Sequence, residues 1–192
     1  MGYIQRGSVY ASGESKNTYS NLVAVLVDER VYPEIENELK WYTTEYIQKK
    51  YDQSKALVLK INTQEYSAPE ITKLLENLYF EWEKEKSSQL IGLVMIWEIP
   101  FPVVKYSDYV FPSIYPYVDF LDQKYLWNEW EWYFTQAKQN GQAEIWHWVI
   151  NFKSDADAYK RFFQKLKNYD ADPSKFADKK VRYDDFVALQ SN

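Results

Sequence analysis

The run Leu90-Ile91-Gly92-Leu93-Val94-Met95-Ile96-Trp97-Glu98-Ile99-Pro100-Phe101-Pro102 sets the tightest limit on what this chain folds into. Its apolar part is too short to cross a bilayer. It fits a strand covered on both faces, the environment of a parallel sheet with helices above and below. An acidic residue and a Pro-x-Pro break close it. Ligands of open α/β sheets bind beyond the carboxyl ends of such strands, which makes Glu98 and the loop after it the first candidate cleft position.

Two similar runs precede it, each followed by a helix. Leu22 to Val27 reads as a buried strand closed by Asp28-Glu29-Arg30. Pro33 then suits a first helical turn, with Glu34, Glu36 and Glu38 near the positive end of the dipole. Ile35, Leu39, Tyr42 and Tyr46 recur at helical spacing, giving an apolar stripe that ends near Tyr51. Ala56 to Ile61 is the second strand. Ser67-Ala68-Pro69-Glu70 opens the next helix as a capping box, with Ile71, Leu74, Leu75 and Leu78 on its buried face and a charged, solvated end from Glu81 to Lys86. Strand, helix, strand, helix, strand predicts a right-handed, doubly wound parallel sheet.

After Pro102 the texture changes. Val103 to Tyr117 reads as an extended loop running into a short strand near Ser113-Ile114-Tyr115, and Asp119 and Asp122 bracket a turn. A hairpin runs through Tyr125-Leu126-Trp127, and 128–142 shows no clear period. Glu144 to Ile150 predicts another strand. Ser154-Asp155-Ala156-Asp157 caps a helix with Tyr159, Phe162, Phe163 and Leu166 on one face. A turn at Asp172-Pro173 and a short helix from Asp184 to Leu189 complete the reading. The divisions are a loosely ordered lead-in (1–20), an α/β subdomain (21–170) and a tail or the start of a following subdomain (171–192).

Composition excludes several classes. A net charge of −5 with Lys and Glu interspersed offers no basic face to a phosphate backbone, so nucleic acid is not expected as a partner. No cysteine is present, which removes disulfides, thiolate metal sites and any Cys nucleophile from this polypeptide. The single histidine, His147, leaves no pair for a His-based metal site, and neither metal nor cofactor is expected. No membrane span and no export or lipid signal is read from the chain. Eighteen Tyr and eight Trp stand against five Gly, an odd balance for an α/β protein, whose tight turns normally use glycine.

The order of elements, with three local signatures, resembles the amino-terminal subdomain of gingipain-type, caspase-like cysteine peptidases. The signatures are Val94-Met95-Ile96-Trp97-Glu98-Ile99-Pro100, the segment Ser113 to Asp119, and the strand Glu144 to Ile150 with the helix through Tyr169. The resemblance covers roughly 21–169. It implies a three-layer sandwich, a caspase-like half-domain with a mostly parallel, doubly wound sheet, and a location outside the cell or on its surface. The family's catalytic His-Cys dyad lies in the following subdomain, so the resemblance implies no catalytic residue here. This chain would then be a non-catalytic or truncated amino-terminal part, supporting a catalytic partner half and inactive alone. Trp97 and Trp148 stand where the family pattern has glycine. Either the source reads UGA as glycine while this sequence carries tryptophan, or the lineage lost activity and indoles filled the space.

Other candidates are read from the residues themselves. Glu98 and Asp119 are candidate cleft carboxylates, with a solvated strand end and a solvated turn as the plain alternatives; as a pair they would suit a hydrolase. Trp127, Trp130 and Trp132 form a candidate aromatic contact surface for a protein or glycan in a stand-alone binding module, against the simpler role of covering a sheet edge. His147, flanked by two Trp, reads as a strand residue rather than a base.

Overall fold

The computed structural model describes residues 21–51, 54–86, 89–121, 125–129, 131–136, 143–153 and 155–176. The lead-in (1–20), Asp122, Trp130, Ser154, the helix expected from Asp184 to Leu189 and the side chains of the charged segment 81–86 lie outside the described residues.

Four parallel strands form the main sheet in the order β2-β1-β3-β8, with β1 at Asn21–Asp28, β2 at Ser54–Ile61, β3 at Gln89–Ile96 and β8 at Trp146–Ile150. All three predicted strands are therefore present, side by side and pointing the same way. The protein is an α/β fold. Alternation along each strand sends side chains to two separate cores. Leu22, Ala24, Leu26, Leu57, Leu59, Leu93 and Met95 meet Ile71, Leu75 and Tyr79 of helix α3 (Ala68–Lys86) on one face. Val23, Val25, Val27, Val58, Val94 and Ile96 meet α1 (Tyr32–Trp41) and α4 (Ala156–Ala171) on the other. Burial on both faces is why the strands read as unbroken apolar runs.

The first helix is not regular to its end. Tyr42–Ile47 is a π-helical segment, followed by a last turn α2 at Gln48–Lys50. Thr43 Oγ1 donates to the carbonyls of Leu39 and Lys40, and Thr44 Oγ1 also donates to Lys40. Hydroxyls thus compete for the carbonyls an α-helical ladder would use, and the extra residue carries the buried stripe onto Thr43 and Ile47, leaving Tyr46 only partly covered. At the start of α3 only half the capping box forms. The Ser67 backbone N–H and hydroxyl both donate to Glu70, at 2.7 and 2.8 Å. In α4 the expected cap holds, with Asp155 Oδ1 accepting from Ala158 N at 2.8 Å.

After β3 the hairpin through Tyr125-Leu126-Trp127 and the strand ending at Ile150 are present as expected, and the rest departs from expectation. Between β3 and β8 lies a second, smaller sheet in the order β5-β4-β7-β6, made of β4 (Val103–Tyr106), β5 (Tyr109–Pro112), β6 (Tyr125–Asn128) and β7 (Tyr133–Gln136). Val103 to Pro112 is thus a hairpin instead of a loop, and the strand expected near Ser113-Ile114-Tyr115 is a 3-10 turn at Tyr115–Tyr117. Pro116 has no N–H for a sheet ladder and suits a tight helical turn. Tyr117 is fully buried, and its hydroxyl donates to the Pro100 carbonyl, tying this turn to the end of the β3 loop.

Two backbone positions stand out. Trp97 has φ 79° and Trp132 φ 59°, alongside Ser107 and Lys153 at 53°. A bulky residue in the left-handed region is a genuine outlier, costing of order 1–3 kcal/mol. Trp148 lies within β8, where the strand backbone asks for no glycine, and it is half-exposed.

Candidate functional site

The sheet order makes β1 and β3 neighbours whose onward connections leave in opposite directions: β1 leads to β2 on one side, β3 toward β8 on the other. Ligands of open parallel sheets bind at the carboxyl ends of such a pair. Asp28 ends β1, and Trp97 and Glu98 follow β3.

Asp28 is wholly buried and accepts from four donors. Arg30 supplies its backbone N–H at 2.9 Å, Nε at 3.0 Å and Nη2 at 2.5 Å, and Thr63 supplies its hydroxyl at 3.0 Å. Burial pushes this carboxyl's pKa up, but the hydrogen bonds from Arg30 and Thr63 outweigh it and hold the group below its ordinary value. A carboxylate so engaged is an anchor and not a base. It fixes the Arg30 guanidinium, which is about half-exposed and also bonds Thr63 Oγ1 at 3.1 Å. Glu98, likewise about half-exposed, approaches Arg30 Nη2 at 3.6 Å.

Thr63 joins this polar cluster to a cleft of about 380 Å³. One wall is the β2–α3 loop from Thr63 to Ser67, with Ala68 and Pro69 at the start of α3. The other is built from Pro100 and Phe101 after β3, Val103 of β4, and Trp127 and Trp132 of the β6–β7 hairpin. Trp127 is partly buried, packed on Phe134 at 5.1 Å between ring centroids, whereas Trp132 stands edge-on to it at 6.2 Å and is largely exposed.

The structure therefore brings Trp127 and Trp132 together at the cleft, while Trp130 falls outside the described residues. Glu98 sits on the crest next to Arg30 and does not line that cleft. Asp119 is buried after the 3-10 turn, its N–H donating to the Tyr115 carbonyl, between Val118 and Phe120 of the α3-side core. Its carboxylate is thus no solvated turn residue, and it does not line the cleft. His147 lies exposed in the edge strand β8. Asp28, Arg30 and Thr63 were missed as a group from sequence: the Asp-x-Arg step closing a buried strand was visible, but Thr63 lies 35 residues on. Among the described residues no group of three or more His, Cys, Asp or Glu is placed to hold a metal ion, and no helix is long and apolar enough to cross a membrane.

Chemically the arrangement offers an oriented guanidinium, a half-exposed carboxylate and flat aromatic walls. These bind and position, and the absence of cysteine leaves no thiolate for covalent attack. Comparison with protein-family models, curated proteins and solved structures finds no match to this chain.

Proposed function

We propose that this chain is a non-catalytic α/β platform, a caspase-like half of the gingipain type, against which a catalytic half docks. One observation carries the reading. The parallel sheet ends at β8, which among the described residues pairs only with β3, and the outer part of that strand presents Trp148 to solvent. An edge strand with free amide and carbonyl groups is a template for strand addition, and a neighbouring indole supplies apolar area to bury. Arg30 and Glu98 would then border whatever cleft the joined halves form. This purified chain is expected to bind a hydrophobic dye and to self-associate as concentration rises, with Trp148→Lys weakening both. A dye-silent monomer across that range, read by light scattering, would count against the platform.

The cleft favours a second reading, a stand-alone module holding an extended peptide or a glycan between Tyr66, Phe101, Trp127 and Trp132. Aromatic faces give contact area at low entropic cost. Quenching of intrinsic fluorescence by glucan oligosaccharides or by a library of unstructured peptides, lost in Trp127→Ala, is the expected signature. No quenching by either probe set would remove this reading.

A further inference from the structure

Trp97 and Trp132 share one unusual property: each occupies left-handed backbone, at φ 79° and 59°. They make up two of the four non-glycine residues with positive φ among the described residues, in a chain where tryptophan supplies 8 of 192 positions. The backbone there disfavours an indole whatever its ring packs on, Tyr159 for Trp97 and Trp127 for Trp132. Side chains that tolerate the left-handed region are short and polar, as Asn and Asp are, and glycine is the default.

Their settings agree. Trp97 turns the chain sharply after β3: its N–H donates to the Ile150 carbonyl, and its own carbonyl accepts from Ile99 N at 3.0 Å. Its Nε1 is buried with no hydrogen-bond partner, although buried indoles usually find one. Trp132 closes the four-residue β6–β7 loop immediately before Tyr133, with its N–H on the Asn128 carbonyl. A left-handed residue at the end of a hairpin loop is by default glycine. Trp132 spreads most of its surface, 73%, into solvent.

Trp146 shares the buried Nε1 without a hydrogen-bond partner, but it sits in regular strand backbone and its ring has a place in the fold. Trp146 lies directly across from Gly92 in the β3–β8 register and fills the space its missing Cβ leaves, and it stacks on Tyr51 at 4.9 Å. The composition points the same way, with five glycines where an average protein of about 7% would carry more than twice that number.

We infer that positions 97 and 132 carry glycine in the protein as its source makes it, at UGA codons which that source decodes as glycine and a different code decodes as tryptophan. Trp148 gives no backbone evidence either way and takes no part in the argument. The inference holds under either reading of function, but its consequences differ. Glycine at 132 strips one aromatic wall from the cleft. Glycine at 97 vacates the volume over the Tyr159 ring, on which the indole now stacks at 5.3 Å, beside Glu98 and Arg30 at the crest. The crest then opens where parallel sheets receive ligands.

Two experiments test this. Peptide mass spectrometry of the protein isolated from its source, read with the gene's codons, is expected to show glycine encoded by UGA at both positions. Tryptophan at either one overturns the inference. Independently, recombinant Trp97→Gly is expected to melt at a higher temperature than Trp97→Ala, because only glycine relaxes in left-handed backbone; the reverse order would show that position 97 has no need of glycine.

Discussion

Asp28 shows how one carboxylate organises the crest of the sheet. With its pKa held below the ordinary value of 3.8, it binds fewer protons folded than unfolded in the acid range. Its stabilising contribution is therefore complete above the unfolded pKa and disappears as pH falls through the folded one. Asp28→Asn is expected to lower stability at pH 7 and to flatten the acid limb of a urea-midpoint against pH profile below about pH 4. An unchanged limb would mean that Arg30 and Thr63 do not hold the charge. Gly92 makes a steric demand instead. A Cβ there would overlap the Trp146 indole, so Gly92→Ala is expected to cost roughly 1–3 kcal/mol in denaturant unfolding through overpacking. Trimming the indole as well, in Gly92→Ala with Trp146→Leu, should recover part of the loss.

At the scale of elements, the helices were the most legible parts and the small sheet the least. Asp155 before an apolar stripe announced α4, and its side chain does cap the Ala158 N–H. Asp155→Ala is expected to lower stability by about 1 kcal/mol, with helical circular dichroism lost first in heating. Helix α3 tests the core beneath it. Leu75 is fully buried against the sheet, and Leu75→Ala is expected to cost about 2–5 kcal/mol. The β4–β5 hairpin escaped notice because Val103 to Pro112 carries exposed aromatics and a closing proline rather than alternation: every residue of β5 is exposed, so no buried face writes a period into it. The π segment was hidden for another reason. Tyr42 and Tyr46 keep helical spacing on paper, and only the Thr43 and Thr44 hydroxyl bonds move the register.

For the whole molecule, the arrangement of the main sheet decides which surfaces are available. Because β1 is central and β8 peripheral, Asp28, Arg30 and Glu98 gather at one end, while Trp148 is left along one side. Deleting β8 and α4 together is expected to expose Ile96 and Val94 and to abolish cooperative unfolding, since α4 covers that face through Tyr159 and Phe163. A cooperative transition in the shortened chain would show that β1 to β3 form a unit by themselves.

The sequence alone settled the strands buried on both faces, the helices between them and the absence of thiol chemistry, because burial on two faces, helical periodicity and composition are local properties. Glu98 could be placed at a strand's end by the same means. The tertiary structure alone decided that Thr63 reaches Asp28, that Asp119 is buried, that Trp127 and Trp132 face the β2–α3 loop across a cleft, and that Trp97 is left-handed. Each of these depends on the backbone path joining segments distant in the chain, or on a dihedral set by the neighbours, and a one-dimensional pattern holds neither.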